Sequence, residues 1–143
     1  MRHRVAIAAG LLLVGCHGAS PPAEAVLTLV PTAMQASGPT APASNDPNTA
    51  CLIAGASVAA NIHVARAPIT IILIAFTPTP ATIPSFELSL DTEQVAADLI
   101  STVAPKILAY NVAPEPGDHT LRVAMPGRSP GILCVQQVAV TQR

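Results

Sequence analysis

The chain is 143 residues long, half of it apolar and only 10% charged, with a formal net charge of −1. That length holds one domain with some chain to spare. Its seven Lys and Arg residues are scattered, which excludes a nucleic-acid partner, because binding a phosphate backbone needs them clustered.

At the N-terminus, Arg2 and Arg4 lead into a ten-residue apolar run, Val5–Val14. The run is too short to span a bilayer, which takes about 20 residues, and it has the length of a secretory h-region. Leu13-Val14-Gly15-Cys16 follows and resembles the lipobox of bacterial lipoproteins. The resemblance covers only the first 16 residues. It implies that 1–15 is a signal peptide, that Cys16 carries diacylglycerol on its sulfur, and that the membrane is a partner through this anchor. An ordinary secretory signal would need a small-x-small site, for which Gly18-Ala19-Ser20 is a weak match. His17, not Asp, follows the Cys, which resembles the enterobacterial pattern for an outer-membrane destination. Cleavage removes Arg2 and Arg4, leaving five basic residues against eight acids, a net charge of −3.

With Cys16 lipidated, Cys51 and Cys134 are the even remainder of three cysteines in an exported chain, and a disulfide between them is expected. It would close 83 residues. The chain-entropy model assigns such a loop at most about 4–5 kcal/mol.

Residues 16–50 read as the lipidated Cys and a disordered tether. Six prolines lie between His17 and Ala50, with Ser, Thr, Ala, Gly and Asn filling most of the rest, a composition that buries too little to offset ordering entropy. One patch breaks the pattern. Ala25–Val30 is either an extra edge strand or a sticky segment near the membrane, and the sequence leaves both open.

From Cys51 onward, short runs rich in β-branched residues alternate with Pro/Gly turns, the all-β signal. Candidate strands are Cys51–Ala54, Ile62–Ala65, Ile69–Phe76, Phe86–Leu90, Glu93–Ala97, Ile107–Val112, His119–Met125 and Ile132–Thr141. Ile69–Phe76 (ITIILIAF) is nearly all apolar, the mark of a strand covered on both faces. Phe86, Leu88 and Leu90 alternate with Glu87 and Ser89, so one face there is wet. Asp91-Thr92 reads as a tight hairpin turn, although Thr is a poor residue for a primed turn, and the turn is expected to be longer than two residues. Thr92–Thr102 also fits a short helix capped by Thr92; the hairpin reading is preferred. Seven or eight strands with turns every 8–12 residues suggest a small immunoglobulin-like antiparallel sandwich over 51–143. The run Val112–Val123, with its Pro-Gly turn feeding a strand, resembles a late hairpin of bacterial immunoglobulin-like domains. The core Trp of that family is absent, and the two cysteines would tie the first strand of the domain to the last.

Chemistry is sparse. His63 and His119 are the only histidines of the domain and stand in strand contexts. Asp118 beside them adds a carboxylate, but a metal site needs three or four convergent ligands, and solvent-facing histidines are the plainer reading. No cofactor is implied. Ser57, in Gly-Ala-Ser-Val-Ala, echoes a nucleophile elbow but lacks the strand–turn–helix frame that motif requires. Asp91, Glu93 and Asp98 read as turn residues and solvated charges rather than a carboxylate pair or Ca²⁺ site. Phe76 and Phe86 sit in apolar patterns and read as core. Tyr110 reads as a buried ring whose hydroxyl bonds a loop carbonyl.

The functional expectation is a non-catalytic binding or accessory module of the bacterial envelope, lipid-anchored at the outer membrane, with an envelope protein as partner. A small-ligand or metal-binding module using His63 and His119 is the alternative, and finding both in one pocket would favour it. An enzyme is not expected, because no nucleophile–base or paired-carboxylate pattern emerges. The anchor is directly testable. Cys16→Ser should abolish metabolic labelling with a palmitate analogue, and label retained on that variant would refute the lipid assignment.

Overall fold

The computed structural model describes residues 24–41 and 45–143; the signal segment and Cys16 lie outside them. Ten strands form: β1 (Ala25–Leu29), β2 (Gln35–Ser37), β3 (Ala50–Leu52), β4 (Ser57–Val64), β5 (Ile69–Phe76), β6 (Ser85–Leu90), β7 (Glu93–Leu99), β8 (Lys106–Val112), β9 (Gly117–Ala124) and β10 (Leu133–Gln142), with a 3-10 turn at Pro31–Ala33. They pair as two antiparallel five-stranded sheets. Sheet A runs β1-β10-β5-β8, with β3 also on β10, and sheet B runs β2-β4-β9-β6-β7.

The all-β antiparallel sandwich expected from the sequence is therefore what the chain forms. All eight expected strands are present. The connectivity is more specific than the expectation: the last eight strands are ordered β3-β10-β5-β8 and β4-β9-β6-β7, the double Greek key of a jelly roll in place of the immunoglobulin order.

The tether expectation needs correction. Residues 25–29 and 35–37 are strands, β1 pairing with β10 from Ala25 opposite Gln142 to Leu29 opposite Val138, and β2 pairing with Ser57–Ala59 of β4. The domain thus begins near residue 25 rather than at 51. Among the described residues, the prolines that suggested a tether, Pro31, Pro39 and Pro47, stand in the connections. Pro31 is buried at the start of the 3-10 turn, where a missing N–H costs nothing, and Pro39 follows β2. Met34 is buried in the core cluster and Leu29 packs against it.

Burial alternates along β5: Ile69, Ile71, Leu73 and Ala75 face the core, and Thr70, Ile72, Ile74 and Phe76 face outward. The core is filled from the other sheet by Val58, Ile62 and Val64 of β4, Leu121 and Val123 of β9, and Phe86 and Leu88 of β6. The expectation that β5 is covered on both faces fails. All ten strands are used in the two sheets, and no described strand remains to cover its outer side. Phe76, expected in the core, lies on that side, half-buried; Phe86 is fully buried as expected.

The Cys51–Cys134 disulfide is formed, between directly paired positions of β3 and β10. The hairpin reading of Thr92–Thr102 also holds: β7 follows β6 through Asp91-Thr92, with Leu90 opposite Glu93. The connection is only two residues because Asp91 itself takes φ 54°, a left-handed conformation that Asp tolerates better than most residues.

Gly38 tests the new boundary. Its φ is +79°, and a Cβ there would lie 2.6 Å from the Gly55 carbonyl oxygen and 3.0 Å from the Ala56 Cα. Gly38→Ala should therefore cost about 1–3 kcal/mol in chemical denaturation of the full chain. A tether residue would show no change.

Candidate functional site

One end of the sandwich collects the β4–β5, β6–β7 and β8–β9 connections. The starts of β1 and β5 lie there with the ends of β8 and β10, since Ala25 and Ile69 both pair with Gln142 and Ile69 pairs with Val112. Two segments distant in sequence are locked together at this end by Asp91 and His119. The Asp91 N–H donates to the Thr120 carbonyl at 2.7 Å, and its carboxylate accepts from the Thr120 N–H at 2.8 Å and from His119 Nδ1 at 2.7 Å. His119 Nε2 donates to the Glu115 carbonyl at 2.7 Å. A carboxylate and a carbonyl can only accept, so both ring nitrogens carry hydrogen and His119 is an imidazolium.

The titration directions agree. The hydrogen bond from the Thr120 N–H, then that from His119, holds the Asp91 carboxyl below the usual range. The bond to Asp91, then that to the Glu115 carbonyl, raises the His119 imidazole above its ordinary value. The His119 side chain is only 14% exposed.

Beside this pair is a hollow of about 400 Å³ between the β6–β7 turn and the β8–β9 loop. The half-buried Val95 and Val112 supply apolar surface, and the exposed Glu93, Gln94 and Glu115 stand around it. With Asp91, three carboxylates face one imidazolium, so the hollow is acidic. A larger hollow, about 500 Å³, lies between β1 and β4. It is uncharged, and Thr120 Oγ1 there donates to Asn61 Oδ1 at 3.2 Å. The loop-end hollow is the better candidate because Glu93, Gln94 and Glu115 line it with polar groups beside the apolar Val95 and Val112.

The residues singled out from the sequence disperse around the fold. His63 and His119 lie on opposite faces of sheet B. His119 sits opposite Ile62 in the register, on the core-facing side, whereas His63 sits opposite Asp118 on the outer side, bonded to it at 2.7 Å. The alternative reading in which both histidines share one ligand therefore has no geometry behind it, and His119 is not the solvent-facing residue expected. Among the described residues no group of three His, Cys, Asp or Glu is placed to hold a metal. Ser57 is buried within β4, far from an elbow. Asp98 pairs with Phe86 near the far end of β7, away from Asp91. Tyr110 points between the sheets opposite Ile71, but its hydroxyl is enclosed without the expected carbonyl partner; burial, then the nearby Asp98 charge, raises its pKa. Gln94 and Glu115 were not foreseen, because nothing in their local sequence links two connections 20 residues apart.

No family model and no curated protein matches the sequence. Solved structures do match the fold. The CBM36-1 domain of a multidomain xylanase from the hindgut metagenome of Trinervitermes trinervoides superposes with a TM-score of 0.69 at 13% identity, over 85% of this chain and 98% of that one. A carbohydrate-binding module CBM36 in complex with calcium and xylotriose gives 0.69 at 14% identity, over 81% and 99%. The C-terminal CBM6 of a laminarinase from Zobellia galactanivorans gives 0.64 at 11% identity, over 82% and 100%. At these identities the likeness is one of fold.

The Asp91–His119 pair gives stability a defined pH dependence. A raised His pKa contributes fully below the unfolded value, about 6.5, and its contribution is lost as pH rises through the higher folded value. A lowered Asp pKa contributes above about 3.9 and its contribution is lost as pH falls through the lower folded value. The melting-temperature difference between the wild type and His119→Gln should thus be largest between about pH 4 and 6.5 and should shrink above neutrality. Scanning calorimetry across that range checks it, and a difference that grows with rising pH would contradict the imidazolium assignment.

Proposed function

We propose that this chain is a non-catalytic glycan-binding module of the bacterial envelope, anchored through lipid on Cys16 at the outer membrane, with the loop-end hollow as its sugar site. The anchor reading rests on Arg2, Arg4, the Val5–Val14 run and Leu13-Val14-Gly15-Cys16. The glycan reading rests on one observation above all: Glu93, Gln94 and Glu115 surround an apolar-sided hollow at the open end of a sandwich shared with carbohydrate-binding modules.

The chemistry fits uncharged sugars. Carboxylates accept hydroxyl hydrogens in charge-assisted bonds roughly twice as strong as neutral ones. The Gln94 amide both donates and accepts, and the aliphatic surface of Val95 and Val112 suits the C–H face of a pyranose ring. A volume of about 400 Å³ lies within the usual range for small-ligand sites, about 300–1,000 Å³. The excess of carboxylate repels uronic acids and other anionic sugars.

No aromatic residue lines the hollow. The stacking term that aromatic faces bring to binding is therefore missing, and affinity should be modest, with a Kd on the order of 0.1–1 mM, or about 4–5.5 kcal/mol. Isothermal titration of the purified chain with a panel of neutral and acidic oligosaccharides tests the reading. Binding should be confined to neutral members, and Glu93→Ala with Glu115→Ala should weaken it at least about tenfold, the worth of about 1.4 kcal/mol. Binding that survives the double substitution unchanged, or a preference for acidic glycans, would overturn it.

A further inference from the structure

The β8–β9 connection is a strap with one fastening. Residues 113–116 run from Val112, the last paired residue of β8, to Gly117, the first of β9. Pro114 and Pro116 have no N–H to give. Among the described residues, the single hydrogen bond that ties 113–116 to the rest of the fold is the one from His119 Nε2 to the Glu115 carbonyl. Ala113, Pro114 and Glu115 of the hollow stand on this strap, whereas Asp91, Glu93, Gln94 and Val95 stand on the β6–β7 hairpin. His119 bonds to both sides, through Nδ1 to Asp91 and through Nε2 to Glu115.

We propose that His119 is the positioning residue of the hollow, a fastening that holds the strap to the β6–β7 hairpin while its imidazole is charged and frees it when one ring proton is lost. A neutral imidazole keeps one N–H. The Asp91 carboxylate is the stronger acceptor, because its bond is charge-assisted, so the remaining hydrogen stays on Nδ1. Nε2 then turns a lone pair toward the Glu115 carbonyl oxygen, and the strap loses its bond. The groups around the ring set the direction of the effect. Asp91 contacts it from the β6–β7 turn, and Glu93 and Glu115 line the same hollow from β7 and the strap. Asp118, on β9 itself, acts from the other face of the sheet. β8 contributes the apolar Val112 and β4 the apolar Ile62, while His63 is bonded to Asp118 on the outer side. No Lys or Arg lines the hollow, and Arg66 of the β4–β5 connection stands outside its lining. Acids thus dominate, in line with an imidazole raised above its ordinary value. The hollow is assembled while His119 is charged and opens as pH rises through the raised folded value.

The consequence for sugar binding rests on the glycan reading, whereas the fastening does not. Nuclear magnetic resonance of the purified, sugar-free chain tests the fastening. On the acid side of the His119 titration both ring nitrogens should carry hydrogen, and the Glu115 amide should relax as ordered backbone. On the alkaline side only Nδ1 should carry hydrogen, and the Glu115 amide should become mobile. His119→Gln, whose amide has one donating and one accepting end, should show a mobile Glu115 at every pH. The proposal fails if Glu115 keeps the same order through the titration, or if it stays ordered in His119→Gln. Calorimetric titration with cellotriose, maltotriose and xylotriose then reads the site. A trisaccharide that binds should bind about three- to tenfold more weakly on the alkaline side, the worth of one hydrogen bond, and His119→Gln should lose this pH dependence. A wild-type affinity that is flat across the His119 titration would overturn the positioning role. Binding by none of the three at any pH would count against the glycan reading, and the relaxation measurement would still decide the fastening.

Discussion

Sheet A depends on a single strand. β10 pairs with β5 along one edge and with both β1 and β3 along the other, so three of the other four strands of that sheet pair with Leu133–Gln142, and β1 and β3 join the sheet through it alone. Burial follows: Leu133, Val135, Val138 and Val140 all belong to the core. The Cys51–Cys134 bridge fixes the same strand covalently to β3. Because Ala25 pairs with Gln142, sheet A cannot close until residues 25 to 142 are all available. Such long-range pairing makes for slow folding.

Much of this architecture was legible from local chemistry. β5 was readable to the residue because an eight-residue run that is nearly all apolar and rich in β-branched residues has few alternatives. β6 was readable because Phe86, Leu88 and Leu90 alternate with Glu87 and Ser89. The disulfide followed from parity and compartment. What escaped notice had physical reasons. β1 was legible only as one of two readings of Ala25–Val30, the extra edge strand, and β2 was hidden because it is three small or polar residues followed closely by Pro39. Half of β4 was missed because Ser57–Ala60 is small-residue sequence with little periodic contrast. The apolar run of β5 says that both its faces avoid charge, but local sequence cannot say whether a second layer exists to cover the outer one.

The candidate site was the least legible part. Asp91 was read as a turn residue, which it is, but its partner lies 28 positions away on another strand. His119 looked like a surface residue because Asp118 and Thr120 flank it with polar groups. Alternation instead puts it on the side of Leu121 and Val123, where the end of the sandwich is open enough to admit an imidazolium and closed enough to fix both its nitrogens. The site is thus a product of register: one residue of slip along β9 would send His119 to the solvent face and Asp118 to the interior.

The early start of the domain changes its geometry at a membrane. With β1 beginning at Ala25, Cys16 and Glu24 are eight residues apart, at most about 29 Å of fully extended chain. Under the anchored reading this is a leash rather than a stalk. The chain enters the sandwich at the end that carries the loop-end hollow, so that end stays near the lipid headgroups while the opposite loops project outward. A ligand for the hollow must then reach into the membrane-proximal layer, which favours a chain attached to the envelope itself over a free polymer arriving from the medium.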